Sequence, residues 1–198
     1  MVDSAIKKSA DIFLNLHAIL PRSRANGPGV RMAVWFQGCT LACPGCFNPK
    51  THALALNRLV TVEALLQKII EADGEIEGIT ISGGEPLLQS EGLYCLLAGV
   101  RRHTDLSIIL FSGFSFEEIQ NMLLGNKILA FVDVLIAGRY QHEKRLGLNL
   151  LGSTNQTIHL FSQRYSKQDL EVVPHGEIII DANAMVCSSG FLSNRGKI

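Results

Sequence analysis

The chain has 198 residues, 47% hydrophobic and 18% charged, with 18 Lys and Arg against 18 Asp and Glu. That is enough sequence for one domain with a substantial core, and a zero net charge supplies no bulk attraction to nucleic acid or to an anionic membrane. No stretch approaches the roughly 18 uncharged apolar residues of a membrane span, and the start lacks the apolar segment of a secretion signal, so a cytoplasmic protein with no nucleic-acid and no membrane partner is expected.

In chain order, residues 1–10 are polar and expected to fray. Asp11–Leu20 is apolar at nearly every second position, which predicts a strand, and His17 within it reads as structural rather than as a ligand. Pro21–Gly29 is turn chemistry, and Asn26-Gly27-Pro28-Gly29 lets backbone pass close to a bulky neighbour. Val30–Gln37, β-branched and aromatic, predicts a buried strand ending at Gly38. Its Arg31 reads either as the partner of a carboxylate or as a solvated charge at a strand edge.

Three of the five cysteines follow within eight residues, as Cys39, Cys43 and Cys46. Pro44 and Gly45 exclude a helix there, so the segment reads as a loop that wraps thiolates around a metal. An odd, clustered set argues against a disulfide scaffold. Iron–sulfur clusters are normally held by four thiolates, and a tight set of three suggests a cluster with one iron left open. The alternative is a tetrahedral zinc site closed by His52.

Phe47–His52 continues as loop. Thr61–Ala72 has helical spacing, with Thr61 as N-cap and Gly74 as stop. Glu77–Ser82 is a second buried strand, ending in Gly83-Gly84-Glu85-Pro86. A helix over Leu87–His103 carries Cys95 on its apolar side as an inert thiol. Ser107–Ser112 is a third strand closed by Gly113, and Ser115 with Glu118 forms a capping box for the next helix. Phe131–Ile136 is a fourth strand. Gln141–Leu150 is polar and expected to be irregular; Thr157–Phe161 and Glu177–Ile180 are further strands.

Strands alternating with helices predict βαβ units with right-handed crossovers. The fold class expected is α/β, a partial TIM-type (β/α)6 barrel with a mainly parallel sheet. Residues 1–198 form a single domain, in which 11–29 are an N-terminal strand and turn. In such folds the loops after strand C-termini share one face, which brings the cysteine loop and Gly83-Gly84-Glu85-Pro86 together. The two glycines can lay backbone against a ligand, and the glutamate can accept bonds from an amine or hydroxyl. Read alone, that turn is equally a plain strand–helix connection.

Cys39-x3-Cys43-x2-Cys46 after a strand, followed by Phe47, together with Gly83-Gly84-Glu85-Pro86 after the next strand, resembles the radical S-adenosylmethionine superfamily. Within it, Asn26-Gly-Pro-Gly-Val-Arg31, Phe36-Gln-Gly-Cys39, Cys46-Phe-Asn48 and Thr51 resemble the glycyl-radical-enzyme activating family. Gly45 and Gly152-Ser-Thr-Asn-Gln156 resemble the activators of anaerobic ribonucleotide reductase in particular, with pyruvate formate-lyase activating enzyme next. The run Ile136-Ala137-Gly138 departs from that pattern, since reductase activators often carry an acidic residue there.

The resemblance implies that Cys39, Cys43 and Cys46 are catalytic and ligate three irons of a [4Fe-4S] cluster. The fourth iron would take the amino and carboxylate groups of S-adenosyl-L-methionine, which one electron cleaves to methionine and a 5′-deoxyadenosyl radical. Gly83, Gly84, Glu85 and Pro86 would hold the methionine end, and Ser112 and Gly113 the ribose or adenine. Cys95 and Cys187 alone remain of the five cysteines, too few for a second four-cysteine cluster. The reaction implied is abstraction of hydrogen from a glycine of a glycyl radical enzyme, an anaerobic ribonucleotide reductase or a pyruvate formate-lyase type, with flavodoxin or ferredoxin as electron donor. The alternatives are a radical enzyme acting on a small molecule and a non-catalytic iron–sulfur or zinc module. Asn155 and Gln156 are further candidates for cofactor or partner contacts, or a polar turn.

Overall fold

The computed structural model describes residues 12–180, 184 and 186–191; Asp11 and the start expected to fray lie outside the described residues. Strand β1 (Phe13–Ser23) lies antiparallel between β2 (Arg31–Phe36) and β3 (Arg58–Thr61). Helix α1 (Val62–Glu71) leads to β4 (Gly78–Gly83), α2 (Ser90–His103) to β5 (Ser107–Ser112), and the short α3 (Phe116–Gln120) and α4 (Gly125–Leu129) to β6 (Val134–Ala137). A hairpin of β7 (Arg145–Leu148) and β8 (Leu151–Ser153) precedes β9 (Thr157–Leu160). Then come α5 (Lys167–Glu171) and a second hairpin, β10 (Gly176–Ile180) with β11 (Val186–Gly190).

The fold is α/β, with one seven-stranded sheet in the order β3-β1-β2-β4-β5-β6-β9. β2, β4, β5 and β6 run parallel, and antiparallel β1 and β9 flank them, so the sheet is mixed around a parallel centre. Register levels the strand ends: Phe36 pairs with Gly83, and Ser112 with Ala137. The loops that follow therefore leave at one height. No helix among the described residues is long and apolar enough to cross a membrane.

Alternation of side chains divides the sheet between two faces. Val34, Phe36, Ile79, Ile81, Ile108 and Leu110 point to the helices, where α1 contributes Leu65 and Ile69 and α2 contributes Leu93, Leu96 and Leu97. On the other face, Ile109, Val134 and Ile136 are covered by Leu150, Tyr165, Leu170 and Val173. Phe111 packs against this cluster and, with Trp35, lines a cleft on that face. The caps follow the sequence: the Thr61 hydroxyl accepts from the Ala64 amide at 3.1 Å, and Ser115 and Glu118 complete a capping box.

Several expectations change. β3 and α4 carry no strong sequence pattern and appear only in the structure. β1 runs on to Ser23 through two register shifts. The helix expected from Leu87 begins as a 3-10 turn over Pro86–Gln89 before α2. Residues 141–150, expected to be irregular, contain β7 and a 3-10 turn at His142–Lys144.

Arg31 is neither solvated nor paired directly with a carboxylate. It is 0% exposed, and its guanidinium donates to Thr80 Oγ1 at 2.8 Å, Ser107 Oγ at 2.9 Å, Tyr165 Oη at 3.0 Å and the Ile79 carbonyl at 2.7 Å. Tyr165 Oη in turn donates to Glu77 at 3.0 Å. Burial lowers the Arg31 pKa, against the opposing pull of Tyr165 and Glu77. This satisfied network ties β2, β4 and β5 together near their starts, away from the cysteines. Arg31→Leu removes the donor that Thr80, Ser107, Tyr165 and the Ile79 carbonyl share in the interior, and a urea titration should show a loss of at least about 3 kcal/mol. Removing the exposed Arg22–Glu75 pair, whose side chains are 60% and 65% exposed, should cost less than about 1 kcal/mol.

Candidate functional site

The loops leaving β2 and β4 are joined through backbone. The Gly84 amide donates to the Phe36 carbonyl at 2.8 Å, and the Glu85 amide to the Gly38 carbonyl at 2.9 Å. A Cβ at residue 84 would fall on the Gly38 carbonyl, so glycine is needed for this approach. Gly83 and Gly84 thus seat the cysteine loop, a duty distinct from the ligand contact expected of them. The return of that loop is tied by Gly38 N to Thr51 O at 2.8 Å and Cys39 N to His52 O at 3.1 Å.

Within the loop, Cys46 N donates to Cys43 O at 3.2 Å, and Gly45 takes φ +68. A side chain at residue 45 would also meet His142 Nδ1 at 2.7 Å, which doubles the reason for glycine. All five cysteines are free thiols. Cys39, Cys43 and Cys46 are half-buried and line one cleft of about 620 Å³. Gly83, Gly84, Glu85, Ser112 and Gly113 line the same cleft, whereas Pro86 is buried behind it as the first residue of the 3-10 turn. The ends of β2, β4, β5 and β6 all border this space.

Burial pushes the Cys39 thiol up, against the pull of the Leu41 and Ala42 amides. Cys46 is pushed up the same way, against the Asn48 amide, which donates to its Sγ at 3.4 Å. Amide donors aimed at sulfur suit thiolates that carry charge in a metal cluster. Among the described residues no three His, Cys, Asp or Glu side chains converge closely enough to hold a single ion. A tetrahedral site of Cys39, Cys43, Cys46 and His52 would gather every donor on one ion, whereas an iron–sulfur cluster takes each thiolate on a different iron of one cluster.

Glu85 is 0% exposed, and both its oxygens are used within the protein. Oε1 accepts from the Leu87 amide and the Ser112 hydroxyl, each at 3.0 Å, and Oε2 from the Gly113 amide at 2.8 Å. The carboxylate caps the 3-10 turn and straps the end of β4 to that of β5. The sequence alone points it at a ligand amine; its pairing with Ser112 and Gly113 emerges only when β4 and β5 are neighbours.

Other candidates make bonds within the scaffold. Gln156 lines the cleft, but its Oε1 accepts from the Gly152 amide at 2.8 Å and its Nε2 donates to the Gly138 carbonyl at 2.8 Å. Asn155 Nδ2 donates to the Arg139 carbonyl at 2.9 Å, while its Oδ1 is buried with no hydrogen-bond partner among the described residues. His17 Nδ1 pairs with Gln37 Oε1 at 2.9 Å, the structural role expected. Cys95 packs half-buried against the helix-side core. Two features carry no signal in the sequence. Arg139 grips Glu118 with two bonds of 2.7 and 2.9 Å and thereby holds that carboxylate down at about 2. Cys187, on the second hairpin, is a fourth thiol lining the cleft.

The sequence matches the 4Fe-4S single cluster domain family over residues 25–159. The anaerobic ribonucleoside-triphosphate reductase-activating protein of Vibrio cholerae is 33% identical over 158 residues, 75% of this chain and 99% of the relative. The protein of that name from Enterobacteria phage T4 is 32% identical over 151 residues, 73% of this chain and 93% of the relative. The pyruvate formate-lyase-activating enzyme of Clostridium pasteurianum is 37% identical over 111 residues, 52% of this chain and 47% of the relative.

Burial pushes the Glu85 carboxyl up from 4.5 to about 7, against its three donors. Between those values the folded protein keeps a proton that the unfolded chain has released. Stability present below pH 4.5 is therefore lost as pH rises toward 7, at about 1.4 kcal/mol per unit and about 3 kcal/mol in all. Urea midpoints across this range should fall in the wild type and lack that slope in Glu85→Gln; an unchanged slope in the variant contradicts the assignment. Gly84→Ala should unseat the loop and lower stability by about 1–3 kcal/mol in the same assay.

Proposed function

The chain belongs to the 4Fe-4S single cluster domain family and to the anaerobic ribonucleoside-triphosphate reductase-activating proteins, and on that premise we propose that it is a radical S-adenosylmethionine activase that abstracts hydrogen from a glycine of a partner enzyme. The observation that carries the reading is the set of three thiols on one loop, at the ends of the parallel strands, facing one cleft, with the Asn48 amide donating to the Cys46 sulfur. The donor chemistry fits a [4Fe-4S] cluster on Cys39, Cys43 and Cys46. When bound, the reduced cluster supplies the electron that cleaves the sulfonium of S-adenosyl-L-methionine to methionine and a 5′-deoxyadenosyl radical.

The chain's own groups prepare that chemistry. Gly83 and Gly84 set the loop against β2, and Glu85 with Pro86 fixes the turn behind it. Held by Glu85, Ser112 and Gly113 present the end of β5 to the cleft, where the nucleoside end of the cofactor fits. Trp35 and Phe111 form an apolar floor that keeps water from the reacting centre. The parallel strands with their helices on one face are read as a partial (β/α)6 barrel within a single domain, and the protein as cytoplasmic. Its partner is a glycyl radical enzyme of the anaerobic ribonucleotide reductase or pyruvate formate-lyase type, and its electron donor is a flavodoxin or ferredoxin.

Anaerobic incubation with such a partner, S-adenosyl-L-methionine and a reductant should give a glycyl radical signal by electron paramagnetic resonance. Cys43→Ala should abolish both this signal and release of 5′-deoxyadenosine. Release of 5′-deoxyadenosine by the wild type with no glycyl radical on any partner rejects the activase reading and leaves a small-molecule substrate.

A further inference from the structure

The family match ends at residue 159, yet chain beyond it reaches the cleft. After α5, with Leu170 and Val173 buried beneath the sheet, the β10–β11 hairpin turns back toward the cysteine loop. Ser189 and Phe191 line the same cleft as Cys39, Cys43 and Cys46. The hairpin is not seated by apolar burial, since Ile178 and Ile180 are each 67% exposed and Val186 is 63% exposed. Its seat is polar and aromatic. The Glu177 carboxylate accepts from the Ser23 hydroxyl and, at 2.9 Å, from the Arg24 amide, while Asn26 Nδ2 donates to Ser189 Oγ at 2.6 Å.

This seat delivers Phe191 to Phe47, the residue next to Cys46. The two rings meet edge to face, with centroids 4.8 Å apart at 66°. Tyr140 meets Phe47 at 4.9 Å and 67°, and the Arg145 guanidinium lies 4.4 Å from the centre of the ring. Edge-to-face contacts and a cation over the face are the favoured geometries for an aromatic ring, and together they restrict Phe47 from three sides. Those three groups come from the exit of β6, the β7 strand and the end of β11.

We propose that Phe191 is a positioning residue for the cysteine site: the hairpin clamps Phe47, fixes Cys46 through it, and keeps water from that side of the cleft. The inference rests on the reading of Cys39, Cys43 and Cys46 as cluster ligands. It assigns a working role to a segment outside the matched family domain, and it predicts that loosening the hairpin changes the thiol site without changing the sheet.

The test uses the full chain with Phe191→Ala, Phe191→Tyr and Glu177→Gln. In iron-free protein, alkylation of Cys46 by a neutral maleimide, followed by mass spectrometry, should be several-fold faster in Phe191→Ala. Acrylamide quenching of Trp35, the only tryptophan of the chain, should increase with it. Phe191→Tyr should restore both, and Glu177→Gln should move both in the same direction by less. In anaerobically reconstituted protein the cluster's midpoint potential should shift positive in Phe191→Ala and return in Phe191→Tyr, because admitted water stabilises the more negatively charged reduced form. Wild-type alkylation, quenching and potential in folded Phe191→Ala overturn the proposal. If circular dichroism shows that Phe191→Ala does not fold, wild-type behaviour of Glu177→Gln alone overturns it. If the wild type takes up no cluster, the cofactor reading falls, and alkylation with quenching still decides the clamp.

Discussion

The site depends on two backbone hydrogen bonds, Gly84 N to the Phe36 carbonyl and Glu85 N to the Gly38 carbonyl. They extend the β2–β4 pairing past the strand ends and bring the cysteine loop against the turn after β4. Without a side chain at Gly84 the two backbones can touch; with one they cannot. Every other element of the site is hung from this contact, because the three thiols follow directly from Gly38 while Glu85 reaches across to β5.

Two buried charged groups brace opposite ends of the parallel strands. Arg31 gathers β2, β4 and β5 near their beginnings, and Glu85 straps β4 to β5 at their ends. Each is surrounded by donors or acceptors that satisfy it, as burial of charge requires. They are not equivalent. Arg31 keeps its charge within a complete network, whereas Glu85 is poised near neutrality beside the thiols, so the strap between the two loops is sensitive to its electrostatic surroundings.

What can be read from residues alone divides along physical lines. The thiol loop is legible because Pro44 and Gly45 exclude a helix and three cysteines within eight residues point to a metal. The four parallel strands are legible because a buried strand is a continuous apolar, β-branched run. β3 is not, since Arg58-Leu-Val-Thr61 is short and its Arg58 and Leu59 are exposed, so tertiary pairing with β1 outweighs any local pattern. Arg31 misleads because a charge looks solvated until the neighbouring strands that satisfy it are known, and the bonds of Glu85 to Ser112 and Gly113 are hidden from the sequence for the same reason. The clamp on Phe47 joins residues 140, 145 and 191 to residue 47, a long-range meeting that no local periodicity announces.

On the proposed reading, Cys39, Cys43 and Cys46 hold an iron–sulfur cluster rather than a single ion. Iron and acid-labile sulfide analysis of anaerobically prepared protein, with its absorption spectrum, tests this directly. Brown protein is expected, with iron and sulfide in equal amounts, approaching the four of each in the matched family's [4Fe-4S] cluster, and bleaching on reduction. Colourless protein that holds one zinc and no sulfide would contradict it.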